Sequence, residues 1–318
     1  MKVCIIGAGV TGLSLLLLLT RKGVNPSDIT IIDPQFRGGD LGEKWANIQS
    51  NTLWSKTVDA LNGLLGLTLE SSQEIGPLSK IADLFVSLTS SIPVNRIQGF
   101  VKSVAQENDE WKITYYTHFE QSMCSKVLFA CQGSNQRILN LPIPSIPIEC
   151  ALDKRIADYI LPGDRVIVYG TNHSGTLIIK NLHDLSASVT AVYRSENPFV
   201  WARDGAYDGI KEEAADIADK IVAGTIPVTL IRVSDDAAVK NATYNSKWVI
   251  YAIGFERRSI PGLPEAYDGN TATIGASAWG FGIAYPNAAP DGVKWDVSVA
   301  AFLNHMNAQM PVILASLE

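Results

Sequence analysis

Two stretches share one order: a short apolar run, a glycine-bracketed turn, a helix-patterned segment and a second apolar run. The first is MKVCIIGAGVTG at the N-terminus and the second is RVIVYGTNHSG from Arg165. Together they predict an α/β fold with two Rossmann-like dinucleotide-binding domains, because this βαβ order is the framework on which such domains are built. Alternating β segments between Arg96 and Ala130 add a small β-meander. With 318 residues, 47% of them apolar, the chain can bury the cores this requires.

Lys2 to Ile6 is the first strand, Gly7 to Gly12 its turn, Leu13 to Arg21 a helix and Ile29 to Asp33 the second strand. The leucine run Leu13 to Leu19 is far short of the ~20 apolar residues of a membrane span. It ends at Thr20-Arg21-Lys22-Gly23 and reads as a helix buried against a sheet. From Gly38 to Thr57 the pattern breaks into a loop, and loops of that length inside compact domains are usually functional. Ile81 to Leu88 is helical by spacing, and three β segments follow near Arg96–Ser103, Trp111–Thr117 and Gln121–Ala130, with a hairpin at Glu107-Asn108-Asp109. The prolines of LNLPIPSIPI, Leu139 to Ile148, exclude regular helix or central strand and suggest a crossover between domains. Beyond it come Val166–Tyr169, the second turn, a helix over Thr176–Leu182, strand Ser188–Tyr193, a helix over Gly209–Val222, strands at Val228–Arg232 and Lys247–Ile253, and helical spacing from Trp295 to Met306.

Composition narrows the function. The net charge is −6 with no block of Lys and Arg, so the electrostatic footprint of a nucleic-acid binder is missing. The N-terminus enters a strand directly, without a charged region ahead of an apolar core, which points to a cytoplasmic protein without a membrane segment. Cys4, Cys124, Cys131 and Cys150 form no CxxC pair, and Cys4 and Cys131 lie in or after apolar runs where free cysteine acts as a small hydrophobe. The four histidines, His118, His173, His183 and His305, lack ligand spacing, so no metal is expected.

Gly7-Ala8-Gly9-Val10-Thr11-Gly12 fits G-x-G-x-x-G between a strand and a helix. The first glycine permits the tight turn, the second lets backbone approach a pyrophosphate and the third allows close helix–strand contact. Asp33, at the end of the next strand, can accept ribose hydroxyls and repels a 2′-phosphate, which favours FAD or NAD over NADP; otherwise it merely ends the strand. In the second turn, Gly170-Thr171-Asn172-His173-Ser174-Gly175, the middle glycine is replaced by Asn172. Its Cβ would crowd a pyrophosphate, while asparagine tolerates left-handed backbone, so binding is weakened or reshaped. Arg194 stands where Asp33 stands in the first unit and can grip a 2′-phosphate; the alternative is a solvated strand-end charge.

These residues resemble the two-dinucleotide-binding flavoproteins over essentially the whole chain. That superfamily holds flavin-containing monooxygenases, Baeyer–Villiger enzymes and thioredoxin-reductase-like proteins. Val127-Leu128-Phe129-Ala130-Cys131-Gln132-Gly133 and Trp248-Val249-Ile250-Tyr251-Ala252-Ile253-Gly254-Phe255 resemble the family's two strands ending in Ala-Thr-Gly at the domain crossings. Gly42-Glu43-Lys44-Trp45, Ser50-Asn51-Thr52, Tyr193-Arg194-Ser195 and Phe281-Gly282-Ile283-Ala284-Tyr285-Pro286 are similar to the monooxygenase branch. Trp45 can also simply anchor its loop. Glu149-Cys150-Ala151-Leu152-Asp153 does not match the signature of Baeyer–Villiger and N-hydroxylating members.

The resemblance implies glutathione-reductase-type domains, one inserted in the other: an FAD domain over 1–150 and 246–318, and an NAD(P)H domain over 151–245. It implies FAD contacts at Gly7, Gly9, Thr11, Gly12, Asp33, Lys44, Trp45, Val101, Gln132, Gly133 and Gly282. NADPH contacts fall at Gly170, Asn172, His173, Ser174, Gly175, Arg194 and Ser195. The implied activity is an NADPH-reduced monooxygenase that forms a flavin C4a-hydroperoxide and oxygenates a small nitrogen-, sulfur- or carbonyl-containing substrate, with Asn51 as the hydroperoxide's hydrogen-bond donor. A helix beginning near Asp296 is expected to aim its N-terminus at the flavin. Molecular oxygen and a small-molecule substrate are the implied partners, and a homodimer is compatible with the family. The alternatives are an FAD-dependent NAD(P)H reductase without oxygen insertion, or a flavin-binding protein with a decayed second site.

Overall fold

The computed structural model describes residues 2–199, 209–211, 213–289 and 295–317. The chain divides into two compact units, Met1–Asn135 with Arg257–Glu318, and Gln136–Glu256.

The first unit opens with β1 (Val3–Ile6), α1 (Val10–Arg21) and β2 (Ile29–Asp33), the expected βαβ. Leu13 to Leu19 are all buried, and each fully buried leucine contributes about 2 kcal/mol. The segment from Gly38 is less irregular than expected. A 3₁₀ turn occupies Gly39–Leu41, and α2 (Trp54–Leu65) begins inside the expected loop and buries Val58, Leu61 and Leu65 at helical spacing. Next comes α3 (Leu78–Thr89), then β3 (Asn95–Gln98), β4 (Phe100–Glu107), β5 (Glu110–Tyr116), β6 (Glu120–Ser125) and β7 (Val127–Ala130). Two of the three expected β segments therefore split, at Gly99 and at Lys126, where the chain leaves and rejoins the main sheet. Only a glycine fits at position 99, since a Cβ would stand 2.4 Å from the Tyr116 carbonyl oxygen. The expected hairpin is formed by Asn108 and Asp109, both at positive φ.

The chain crosses to the second unit through β8 (Ser134–Gln136). The proline-rich segment lies inside that unit, so the crossing comes earlier than Leu139, and residues 136–150 and 246–256 go with the second unit rather than the first. Its elements are α4 (Ile148–Ala151), β9 (Arg165–Tyr169), α5 (His173–Asp184), β10 (Ser188–Tyr193), α6 (Glu213–Val222), β11 (Thr229–Arg232), α7 (Asp236–Asn245) and β12 (Trp248–Tyr251). The expected helix from Gly209 starts later, because Gly209 has φ +75°. All four strands are parallel, in the order β11-β10-β9-β12.

The return through β13 (Phe255–Arg257) leads to β14 (Thr273–Gly275), β15 (Ala278–Gly280) and α8 (Val299–Ala315). The last helix starts at a Ser298 cap, past the expected Trp295 and Asp296, and runs beyond Met306. The first unit's main sheet has the order β14-β15-β7-β1-β2-β3, parallel except for β14. Alternation along β1 serves two cores. Val3 and Ile5 pack with α1, α2, α3 and α8, while Cys4 and Ile6 pack with Val101, Trp111 and Ile113 of the antiparallel β4-β5-β6 meander. Among the described residues no helix is long and apolar enough to cross a membrane.

Candidate dinucleotide sites

At the first turn the backbone dictates the residues. Gly7 has φ +100°, and a Cβ there would lie 2.7 Å from the Cys131 carbonyl oxygen at the end of β7. A Cβ on Gly12 would lie 1.9 Å from the Gly7 oxygen. Gly9 is the N-cap of α1 at φ −68° and ψ 177°, and no side chain caps the helix. The first amides of a helix have no intrahelical partner, and the helix dipole makes that end attractive to anions. Gly282, at φ +89°, comes so close that its Cβ would be 2.5 Å from Thr11 Oγ1. Glycines 38 and 39 close another side, with Gly38 bridged to Gly9.

Asp33 is buried and holds this turn together. Its Oδ2 accepts the Ala8 N–H at 2.8 Å, and its Oδ1 accepts those of Gln35 and Phe36, also at 2.8 Å. Three acceptor positions of the carboxylate thus go to backbone. Gln132 donates to the Arg258 carbonyl and to the Tyr285 hydroxyl, both at 3.2 Å, while its own Oε1 is buried with no partner among the described residues. Gly133 lies under an ion pair in which one nitrogen, Arg258 Nη2, donates to both carboxylate oxygens of Asp40 at 2.7 and 3.0 Å. Asp40 in turn accepts the Trp45 N–H through its carbonyl at 2.8 Å, which ties Lys44 and Trp45 to the Gly133 side.

The second turn repeats the geometry. Gly170 has φ +99°, a Cβ there would be 2.3 Å from the Ala252 oxygen after β12, and a Cβ on Gly175 would be 2.0 Å from the Gly170 oxygen. Asn172 is the N-cap of α5 at φ −78° and ψ −170°, extended rather than left-handed, so the conformational tolerance of asparagine plays no part there. Its side chain accepts the His173 N–H at 3.0 Å. His173 Nδ1 in turn accepts the Lys211 N–H at 3.5 Å, and burial, followed by the nearby Lys211, pushes the His173 imidazole below its ordinary value against a smaller opposing effect of Glu213. Ser174 is half-buried in the first turn of α5. Arg194 follows β10, exposed and with no carboxylate partner among the described residues; Ser195 beside it donates to the Asn197 carbonyl.

No family model matches the chain. The curated monooxygenase AgnR1 of Paecilomyces divaricatus is 24% identical across 98% of this chain and 97% of its own length. Bacillithiol disulfide reductase Bdr (YpdA) from Bacillus cereus superposes with a TM-score of 0.71 at 13% identity, covering 99% of this chain and 98% of that one. A flavin-containing monooxygenase from Stenotrophomonas maltophilia gives 0.69 at 14% identity, covering 100% and 99%. The chain has the fold of the two-dinucleotide-binding flavoproteins.

Within this flavoprotein fold the first turn brings together Gly7, Gly9, Thr11, Gly12, Asp33 and Gly282, with Gln132 and Gly133 at the adjoining strand end. This arrangement fits a dinucleotide: the helix is uncapped, a Cβ at Gly9 would find nothing nearer than 3.8 Å, and Gln132 has an orphaned acceptor. Val101 packs its side chain in the meander core, leaving only backbone to offer a ligand. Asn51 is exposed and accepts from Thr52 Oγ1, and among the described residues no hydrogen bond ties it to the cradle. Sequence reasoning missed the Gly38-Gly39 wall, which the adjacent glycines signal, and the Asp40–Arg258 pair, whose partners are too far apart in sequence to signal anything.

Proposed function

We propose that the protein is a flavoprotein oxidoreductase that holds FAD in its first unit, is reduced by NADPH held in its second, and uses molecular oxygen to oxygenate a small nitrogen-, sulfur- or carbonyl-containing substrate. The observation that carries this reading is the uncapped N-terminus of α1 inside a glycine cradle. The monooxygenase assignment is supported by AgnR1, which matches over nearly its full length.

When bound, FAD supplies two-electron transfer and oxygen activation. The free amides at Val10 to Gly12 and the α1 dipole bind its diphosphate, Gly9 giving the backbone close approach. Asp33 fixes the turn by holding Ala8, and its remaining lone pair is available to a ribose hydroxyl. Gln132 offers Oε1 as an acceptor, Val101 offers backbone, and Gly282 lets its segment lie against Thr11. With the flavin bound, the Lys44-Trp45 loop would exclude water, and Asn51 would supply a hydrogen-bond donor to the oxygen it activates. In the second unit Gly170 and Gly175 shape the turn, Asn172, His173 and Ser174 line it, and Arg194 with Ser195 recognises the 2′-phosphate.

The test is an anaerobic titration of the flavin-loaded protein with NADPH and, separately, NADH, read from the visible flavin absorption. Bleaching at much lower NADPH than NADH concentration supports the reading. On admitting air, oxygenated product supports the monooxygenase, and rapid reoxidation with peroxide alone turns it into a reductase. No bleaching by either donor overturns the NADPH assignment.

A further inference from the structure

At the N-cap the two turns differ by one side chain, and the difference is not conformational. Gly9 and Asn172 occupy the same N-cap position with nearly the same backbone angles. Nothing in the backbone therefore demands asparagine, and its presence has to be explained by its side chain. That side chain accepts the N–H of His173, one of the amides a helix N-terminus would otherwise offer to a phosphate. The carboxamide stays exposed, but the chain at Gly209 comes near it. A Cβ on Gly209 would stand 3.3 Å from Asn172 Nδ2 and 3.4 Å from its Oδ1, so only a glycine lets the chain lie over it without pressing. Lys211 then donates its N–H to the His173 ring. The 209–211 segment thus touches both residues at the mouth of the turn, whereas Gly9 has no side chain and caps nothing.

We infer that Asn172 is a specificity-determining residue that acts as an internal competitor of the pyrophosphate: its carboxamide fills the phosphate position of the second turn and must be displaced before a nicotinamide dinucleotide can dock. This rests on the second unit being the NADPH site. The second unit then binds NADPH more weakly than its glycine framework allows, and the residue at position 172 sets that affinity. One charge-assisted hydrogen bond recovered by the ligand corresponds to about tenfold in affinity.

The test uses flavin-loaded wild type, Asn172→Gly and Asn172→Ser, titrated calorimetrically with NADP⁺. Asn172→Gly is expected to bind about tenfold tighter than wild type. Asn172→Ser, which keeps a shorter cap, is expected to fall between them. Replacing an asparagine cap by glycine costs only a few tenths of a kcal/mol, so the unfolding temperature should move by about 1 °C or less, and a folding defect is not a confounder. Equal affinities, or weaker binding by Asn172→Gly, overturn the competition. If NADPH still bleaches the wild-type flavin in that case, the NADPH reading stands and only the role of Asn172 falls. If neither protein binds NADP⁺ and NADPH does not bleach the flavin, both fall together.

Discussion

The wall of the first cradle formed by Gly282 gives the sharpest test of how the site is held. In Gly282→Ala the new residue sits at φ +89°, and its Cβ lies 2.5 Å from Thr11 Oγ1 and 3.0 Å from the Cβ and Cγ2 of that residue. A left-handed backbone costs an L-residue about 1–2 kcal/mol. Overpacking costs a further 1–3 kcal/mol or so, for a total of about 3 kcal/mol. The collision term disappears if Thr11 is removed, because all three opposing atoms belong to its side chain. Thr11→Gly alone should cost roughly 0.5 kcal/mol in helix propensity. The double variant should therefore be more stable than the sum of the single losses by about 1–3 kcal/mol, against an additivity error of about 0.5 kcal/mol. Urea unfolding followed by tryptophan fluorescence measures the cycle, and retention of FAD through gel filtration reads the site. Strict additivity would refute the contact between the Gly282 segment and α1, and with it the closed cradle.

Asp33→Asn keeps an oxygen for Gln35 and Phe36 but turns an amide donor toward the Ala8 N–H, losing a charge-assisted bond and leaving a buried donor unpaired. It should lose about 2–3 kcal/mol in the same unfolding assay, and a loss below roughly 0.5 kcal/mol would mean that Ala8 is held by something else. Thiol labelling should modify exposed Cys124 first and leave Cys4 and Cys131 untouched in the native state, since burial pushes the Cys4 thiol up to about 12 and the Cys131 thiol higher still; native labelling of Cys131 counts against this packing. Burial pushes the His305 imidazole below its ordinary 6.5, with Asp268 opposing, so the unfolded chain takes up the proton first. Stability from this residue is full above about 6.5 and is lost as the pH falls through the depressed value. His305→Phe should therefore flatten the stability profile between neutral and acidic pH, and an unchanged slope would contradict it.

The βαβ units were legible because their signals are local. An apolar run, a glycine that must take positive φ and a helix pattern follow one another within a dozen residues, and Gly7 and Gly170 show the matching backbone. The leucine run of α1 was equally plain. Less plain was where a strand changes sheets, since β6 and β7 read as one apolar-rich stretch and only pairing partners separate them. Helix α2 was hidden because its first turn, Trp54 to Thr57, sits in a polar loop context with no cap residue to announce it. The Asn172 cap was invisible for another reason. A sequence shows which residue replaces a glycine, but not whether its side chain points at the ligand or turns back onto its own helix.

The division of the first unit into two sequence segments has a consequence for synthesis. The second unit is continuous, so it is complete once Glu256 has emerged. The first unit at that moment lacks β15, the partner of β7, and α8, which covers α1. At about 5–20 residues per second the ribosome needs roughly 3–12 s to deliver the rest. For that interval the side of α1 that α8 covers and one edge of β7 stand open, while α2 and α3 can already pack on the rest of the helix.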